Sequence, residues 1–233
     1  MKRLSISLAA IVVLILLLGC AQLERTTLQE AYPKMYSHSP VTILILPPIN
    51  NTTAADAGEY FSCSLSEALG LRGYYPLPVQ AVFNILQEEG LYGIEGSLAG
   101  SRQTLYANLQ KYFGVDAVLQ STIDKWDKSW FLTAGTLTVD SSFELYSTST
   151  AECLWDYSVS TQVRLGSSSD NLLAAALESA LKTAVEDYFP HARQANIVTF
   201  QRALPYGKYH PEAGTDGLNE IPALKYEIIQ IDK

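Results

Sequence analysis

Histidine is scarce in this chain. His38, His191 and His210 are the only three among 233 residues, and none stands in an H-E-x-x-H arrangement. C-x-x-C and G-x-S-x-G are also absent; the nearest serine run, Gly166-Ser167-Ser168-Ser169, lacks the closing glycine. Those gaps remove the usual signatures of zinc hydrolysis, thiol redox chemistry and a nucleophile elbow. No G-x-G-x-x-G or Walker spacing occurs, so the glycine-rich LYGIEGSLAGS at 91–101 reads as a loop rather than a phosphate cradle. Basic residues are outnumbered, 16 against 24 acidic, for a net charge of −8. Nothing in that balance would neutralise phosphates along a groove, so nucleic acid is excluded as a partner.

Long apolar runs are also few, and the clearest one opens the chain. Lys2 and Arg3 precede Leu4 to Leu18, which carries no charge and closes as Leu17-Leu18-Gly19-Cys20. As a helix this run would cover about 22 Å, short of the ~30 Å hydrocarbon core, so a cleaved signal peptide over residues 1–19 is predicted rather than a lasting span. A leucine at the third position back, a small residue before the junction and a cysteine at it resemble the lipobox of bacterial lipoproteins. The resemblance implies lipidation at Cys20, with acyl chains whose methylenes, at ~0.8 kcal/mol each, exceed the two-chain requirement for stable attachment. Ala21 and Gln22 follow with no aspartate, which by resemblance to enterobacterial sorting favours the outer membrane. The competing reading is an ordinary signal peptide with a chance cysteine.

Without residues 1–19 enough chain remains for one domain of ordinary size with tails. Residues 20–40, with Pro33 and Pro40 and no sustained periodicity, read as a lipidated tether. Val41 to Leu46 (VTILIL) is a β-branched apolar run stopped by Pro47-Pro48, as expected of a strand covered on both faces. Ala57 to Arg72 reads as a helix capped by Gly73. Its wheel puts Tyr60, Phe61, Leu65, Ala68, Leu69 and Leu71 inward and Ser62, Cys63, Ser66, Glu67 and Gly70 outward. Ser62, Ser66 and Gly70 make that outer face low in relief, either a surface another protein could approach closely or simply a solvated face. A short edge strand at GYYPLPV, helices at Val82 to Glu89 and Thr104 to Phe113, and a strand at VDAVLQSTI follow.

Thr136 to Tyr146 and Leu154 to Leu165 alternate apolar and polar residues and form an antiparallel hairpin turning at about Ser147 to Ala151. Cys153 shares the parity of Trp155 and belongs on the covered face, so no disulfide to an outward Cys63 is predicted. Asn171 to Phe189 is the strongest helical pattern, ending at Pro190, with Leu173 to Tyr188 expected to rest on the hairpin. Residues 191–233 read as an extended tail over the domain or a partner. The result is an α/β domain at 41–190, a mixed sheet of about five strands packed by helices in two or three layers.

The strand followed by PPINNTTAADAGEYF, the segment RGYYPLPV, YFGVDAVLQSTIDKW and AECLWDYSVS resemble, from about Val41 to Tyr209, a bacterial lipoprotein family typified by a neisserial surface lipoprotein. That family is related in fold to the CsgG-like curli-secretion lipoprotein and the TolB amino-terminal domain. The resemblance implies a periplasm-facing domain tethered to the outer membrane, acting in a multi-protein envelope assembly for secretion or transport, with no catalytic residues to carry over and no cofactor beyond the lipid. Fold likeness alone does not fix function.

Three functions stay open. The first is a non-enzymatic accessory or assembly component of an envelope secretion or transport complex, facing periplasm or cell surface. Its partners are other envelope proteins, a channel-forming lipoprotein among them, or further copies of itself. The second is a ligand-binding lipoprotein holding a glycan or small molecule near residues 90–100. The third is a hydrolase using Asp116, Asp124, Asp127 or Asp140 at strand ends, where solvated charges are the ordinary alternative. Trp126, Trp130 and Tyr146 could stack on a sugar or serve as core and sheet-edge aromatics. The hairpin is long enough to cross a membrane within a ring of subunits, but a sheet covered by the last helix accounts for its pattern.

Overall fold

The computed structural model describes residues 26–54, 57–90, 101–131, 134–166, 189–221 and 228–231. Cys20, the 91–100 stretch and the helix expected at 171–188 lie outside them. In chain order the elements are α1 (Leu28–Ala31), α2 (Pro33–His38), β1 (Thr42–Ile45), β2 (Ile49–Asn50), α3 (Ala57–Leu71), β3 (Tyr75–Pro76), α4 (Val79–Glu88) and α5 (Arg102–Phe113). Then come β4 (Ala117–Phe131), β5 (Ala134–Ser147), β6 (Cys153–Gly166), α6 (Phe189–Ala203), a 3-10 turn (Asp216–Leu218) and β7 (Ile228–Ile231).

The strands form one seven-stranded mixed sheet in the order β3-β1-β4-β5-β6-β7, with β2 also on β4. β1 runs parallel to β3 and β4, while β4, β5 and β6 form the antiparallel meander and β7 lies parallel to β6. The two short strands β2 and β7 are additions to the roughly five expected. β1 behaves as its apolar run requires: Ile43 and Ile45 enter a core cluster on one face, and Leu44 and Leu46 enter a second cluster on the other. The first cluster takes α1, α2, α3 and α6, and the second takes α4 and α5. This end of the sheet is therefore three-layered. Phe143, Trp155 and Phe200 form the aromatic centre of the first cluster, with Phe200 edge-on to both partners at 5.1 and 5.6 Å. The Trp155 indole N–H donates to the Ala203 carbonyl at 2.9 Å, tying the end of α6 to the sheet.

Three expectations give way here. Residues 26–40 are not a bare tether: Thr27 caps α1 in a reciprocal box with Glu30, Pro33 opens α2, and Leu28, Tyr32 and Met35 are buried in the first cluster. The helices are too short to give a periodic signal, but T-L-Q-E followed by proline was a readable start. The described residues of the stretch read as an extended tail, 191–221 and 228–231, instead carry most of α6, the Asp216–Leu218 turn and β7. Pro190 sits in the first turn of α6, where a missing N–H costs nothing. The third correction concerns Cys153. Tyr146 pairs with Cys153 while Leu145 pairs with Trp155, so the bulge at Leu154 breaks the alternation. Cys153 thus packs on the second cluster while Trp155 fills the first.

Candidate functional site

The helix that carries Ser62, Ser66 and Gly70 is flanked on two sides. Toward α6, Asn196 donates to the Ser64 hydroxyl at 2.7 Å, and the Arg193 guanidinium grips Glu67 through two bonds. Toward the β1–β2 turn, Gly58 has no Cβ to fend off Pro48; one built there would lie 3.4 Å from the proline ring. Ser62, whose hydroxyl donates to the Gly58 carbonyl at 2.6 Å, is buried there. Ser62 is therefore not on an outer face. Ser66 is half-buried and Gly70 exposed, and a Cβ at Gly70 would meet nothing within 4 Å. Leu71, placed inward by the wheel, is 50% exposed at the helix end.

Ser62 instead helps line an open groove of about 450 Å³ between α3, α4 and the Pro47-Pro48 turn. Val79 and Phe83 supply its apolar surface, and Asn50, Gln80 and Gln87 supply amides. The turn behind it is internally braced. Asn50 accepts from the Thr52 N–H at 3.0 Å and hydroxyl at 2.7 Å and donates to the Ala54 carbonyl at 2.8 Å, while Gln120 donates to Pro47. The polar Asn-rich turn thus forms a hydrogen-bonded wall, and none of the described residues that line the groove is charged.

The segment RGYYPLPV has a structural task. Gly73, at φ +83°, closes α3: its N–H donates to Gly70 and the Tyr74 N–H to Leu69, the paired bonds of a Schellman cap. With the chain turned this way, the carbonyls of Arg72 and Gly73 receive the N–H groups of Gly207 (2.8 Å) and Tyr209 (3.0 Å). Tyr74 donates to the Pro205 carbonyl at 2.9 Å. The Arg72 guanidinium donates to Leu204, lies 4.0 Å from the Tyr206 ring centre and sits 3.8 Å from the Asp216 carboxylate. Asp216 also accepts from the Tyr36 hydroxyl and the Tyr206 N–H. One buried cluster thus joins α2, the end of α3 and the 204–216 segment. Burial pulls the Arg72 guanidinium below its ordinary value, against Tyr206 and Asp216, and pushes the Tyr74 hydroxyl far up.

The remaining candidates are dispersed. Asp116 accepts from the N–H groups of Val41 and Thr42, each at 2.9 Å, and from the Thr42 hydroxyl. Burial raises its carboxyl, and the Thr42 and Val41 N–H bonds outweigh that and hold it below the usual range. Asp124 takes the Asn51 amide, Asp127 lies 3.7 Å from Lys125, and Asp140 takes the Ser160 hydroxyl. They hold turns and strands in place and do not converge. Trp126 belongs to the first core cluster and Tyr146 to the second; the Trp130 side chain lies outside the described residues. His38 sits 3.8 Å from Glu152, and His210 stacks on Tyr206 at 3.7 Å. Among the described residues no group of three metal-ligating side chains converges, and no helix is long and apolar enough to cross a membrane. Cys63 is exposed and Cys153 half-buried, with no disulfide between them.

The sequence model of the GNA1162-like lipoproteins matches residues 31–210. Lipoprotein NMB1124/NMB1162 of Neisseria meningitidis serogroup B is 28% identical over 182 residues, 78% of this chain and 80% of that one. The crystal structure of lipoprotein GNA1162 from the same species is 25% identical, with a TM-score of 0.47 over 64% of this chain and all of that one. The dodecameric PelC of Paraburkholderia phytofirmans overlaps at a TM-score of 0.37 and 15% identity, covering 62% of this chain and 87% of its own. The LpoB C-terminal domain of Salmonella enterica overlaps at 0.37 and 20% identity, covering 57% and 94%.

Proposed function

The chain belongs to the GNA1162-like lipoprotein family, and from that footing we propose that it is an outer-membrane lipoprotein, cleaved after Gly19 and acylated on Cys20. Its α/β domain, now counted from Thr26 through β7 rather than 41–190, serves as a non-enzymatic accessory or assembly component of an envelope secretion or transport complex. The observation that carries this reading is the combination of the family match from residue 31 with the lipobox-like Leu17-Leu18-Gly19-Cys20, whose cysteine lies eleven residues before it. Consistent with it, Asp116, Asp124 and Asp140 accept hydrogen bonds at turns and strands and His210 stacks on Tyr206, rather than gathering around one reacting atom.

The surface offered to partners is the groove beside α3, with Ser66 and Gly70 on the open face of that helix. Its test is a photoreactive amino acid at position 66 or 87 in living cells, with tryptophan at Gly70 as a competitor. Adducts with envelope proteins that disappear in Gly70→Trp, in a protein that still folds, support the assembly role. Absence of any protein adduct from both positions removes it. The second reading is that the groove holds a glycan or small molecule, favoured by a wall combining Phe83 with the amides of Asn50, Gln80 and Gln87. Saturable thermal stabilisation by peptidoglycan fragments would select it.

A further inference from the structure

The acylation proposed at Cys20 fixes more than attachment. Only six peptide steps separate Cys20 from Thr26, where the described fold begins. Fully extended, they reach about 22 Å at most. A domain of this length is roughly 40 Å across, so whatever surface surrounds Thr26 is held near the bilayer and the opposite layer is held off it.

That surface is well defined. Thr27 bridges Glu220, the Leu28 N–H donates to the Asn219 carbonyl at 2.9 Å, and the Ile221 N–H donates to the Thr26 carbonyl at 3.0 Å. Gly217 packs so closely on Gln29 that an added Cβ would lie 2.8 Å from the amide oxygen. The first described residues after Cys20 are therefore clamped to the Asp216–Leu218 turn, and that turn is itself pinned through Asp216 to Arg72 and Tyr36. On it stands Leu218, 83% exposed, the most exposed of the large apolar side chains in the described residues. Glu30 in α1 is turned back onto Thr27, accepting from both the N–H and the hydroxyl at 2.9 Å.

We infer that the Leu218 turn is the membrane-facing end of the domain, and that Leu218 seats in the interfacial region of the bilayer that carries the Cys20 acyl chains. The acyl chains supply the affinity; the leucine supplies orientation, one apolar contact beside a tether too short to allow tumbling. Without Lys2 and Arg3 the mature chain has 14 basic and 24 acidic residues, a formal −10, and gains nothing from anionic headgroups, so the surface it fits is a zwitterionic lipid such as phosphatidylethanolamine. In this pose α4 and α5, on the opposite face of the sheet from α1, point away from the bilayer and leave the groove open to partners.

The inference rests on the lipoprotein reading, and the experiment separates the two. Full-length mature protein is isolated from membranes, with a fluorescent amino acid at position 218 or, as the distal control, at exposed position 85 of α4. It is reconstituted into phosphatidylethanolamine–phosphatidylcholine vesicles containing a nitroxide lipid quencher, and the mass of the peptide starting at Cys20 is measured on the same sample. Acylated protein that floats with the vesicles, with more than half of the emission at 218 quenched and that at 85 untouched, is the expected result. Acylated, floating protein with equal quenching at both positions, or none at 218, overturns the orientation and leaves the lipoprotein reading standing. An unacylated amino terminus and no flotation overturns both.

Discussion

Replacing Arg72 by leucine should destabilise the domain by about 3–5 kcal/mol, because the change leaves the Asp216 carboxylate buried without its cation. The geometry sets that scale. The Arg72 side chain is 7% exposed and that of Asp216 not at all, so water cannot take over the lost charge. The same change removes the donation to Leu204 and the stacking on Tyr206, the latter worth about 2 kcal/mol when desolvated. One offset exists: the Arg72 Nε is buried without a partner, and its removal relieves that cost. For a domain of this size the loss corresponds to a melting shift of about 6–20 °C. Urea titration and thermal melting of the full chain in detergent are the assays, with Arg72→Lys falling between wild type and Arg72→Leu because it keeps the charge and loses the fork. Pairing Arg72→Leu with Asp216→Asn should recover part of the loss. A drop below 1 kcal/mol for Arg72→Leu, or no recovery in the double variant, would refute the view that this cluster holds the 204–216 segment.

Two glycines should respond in opposite directions. Gly70→Ala meets open space in a helix and should stabilise by about 0.5–1 kcal/mol, whereas Gly207→Ala places a methyl 2.5 Å from the Gly73 carbonyl and should destabilise and expose the nearby chain to limited proteolysis. Trp155→Phe removes the donor to Ala203 and should cost about 1–3 kcal/mol in denaturant titrations, with early fraying of the α6 end visible by hydrogen exchange. Asp116, held below the usual carboxylate range by the Thr42 and Val41 N–H groups, contributes stability that is present above its unfolded value near ~3.9 and is lost as pH falls through the lower folded value. Asp116→Asn should lower stability at neutral pH and flatten the acid limb below about pH 4, so that the variant and the wild type converge in acid; an unaltered acid limb would argue against it.

What could be read from the sequence follows from where the physics is local. VTILIL announced a doubly covered strand because five of its six residues are apolar, Ile43 to Leu46 without a break, and the structure sends alternate side chains into two cores. The β5–β6 hairpin was legible because a half-covered sheet imposes period two; the alternation failed only at Leu154, since a bulge inserts a residue without a sequence mark. Ser62 was misplaced because a wheel knows one buried side, while α3 has neighbours on two. The Arg72–Asp216 cluster was invisible for a different reason: its members lie far apart in sequence, and a pairing of single buried charges leaves no periodic trace. RGYYPLPV stood out as a motif, but its task became clear only with the 204–216 segment beside it.

The measurement that bears most directly on a lipid-anchored assembly component is mild crosslinking of intact cells, detergent extraction, and sizing of whatever species contains this chain, with its companions identified by mass. The expected result is a species well above monomer size that contains other envelope proteins and in which this chain begins at an acylated Cys20. A lone, unacylated monomer under the same conditions would contradict both the anchor and the assembly role.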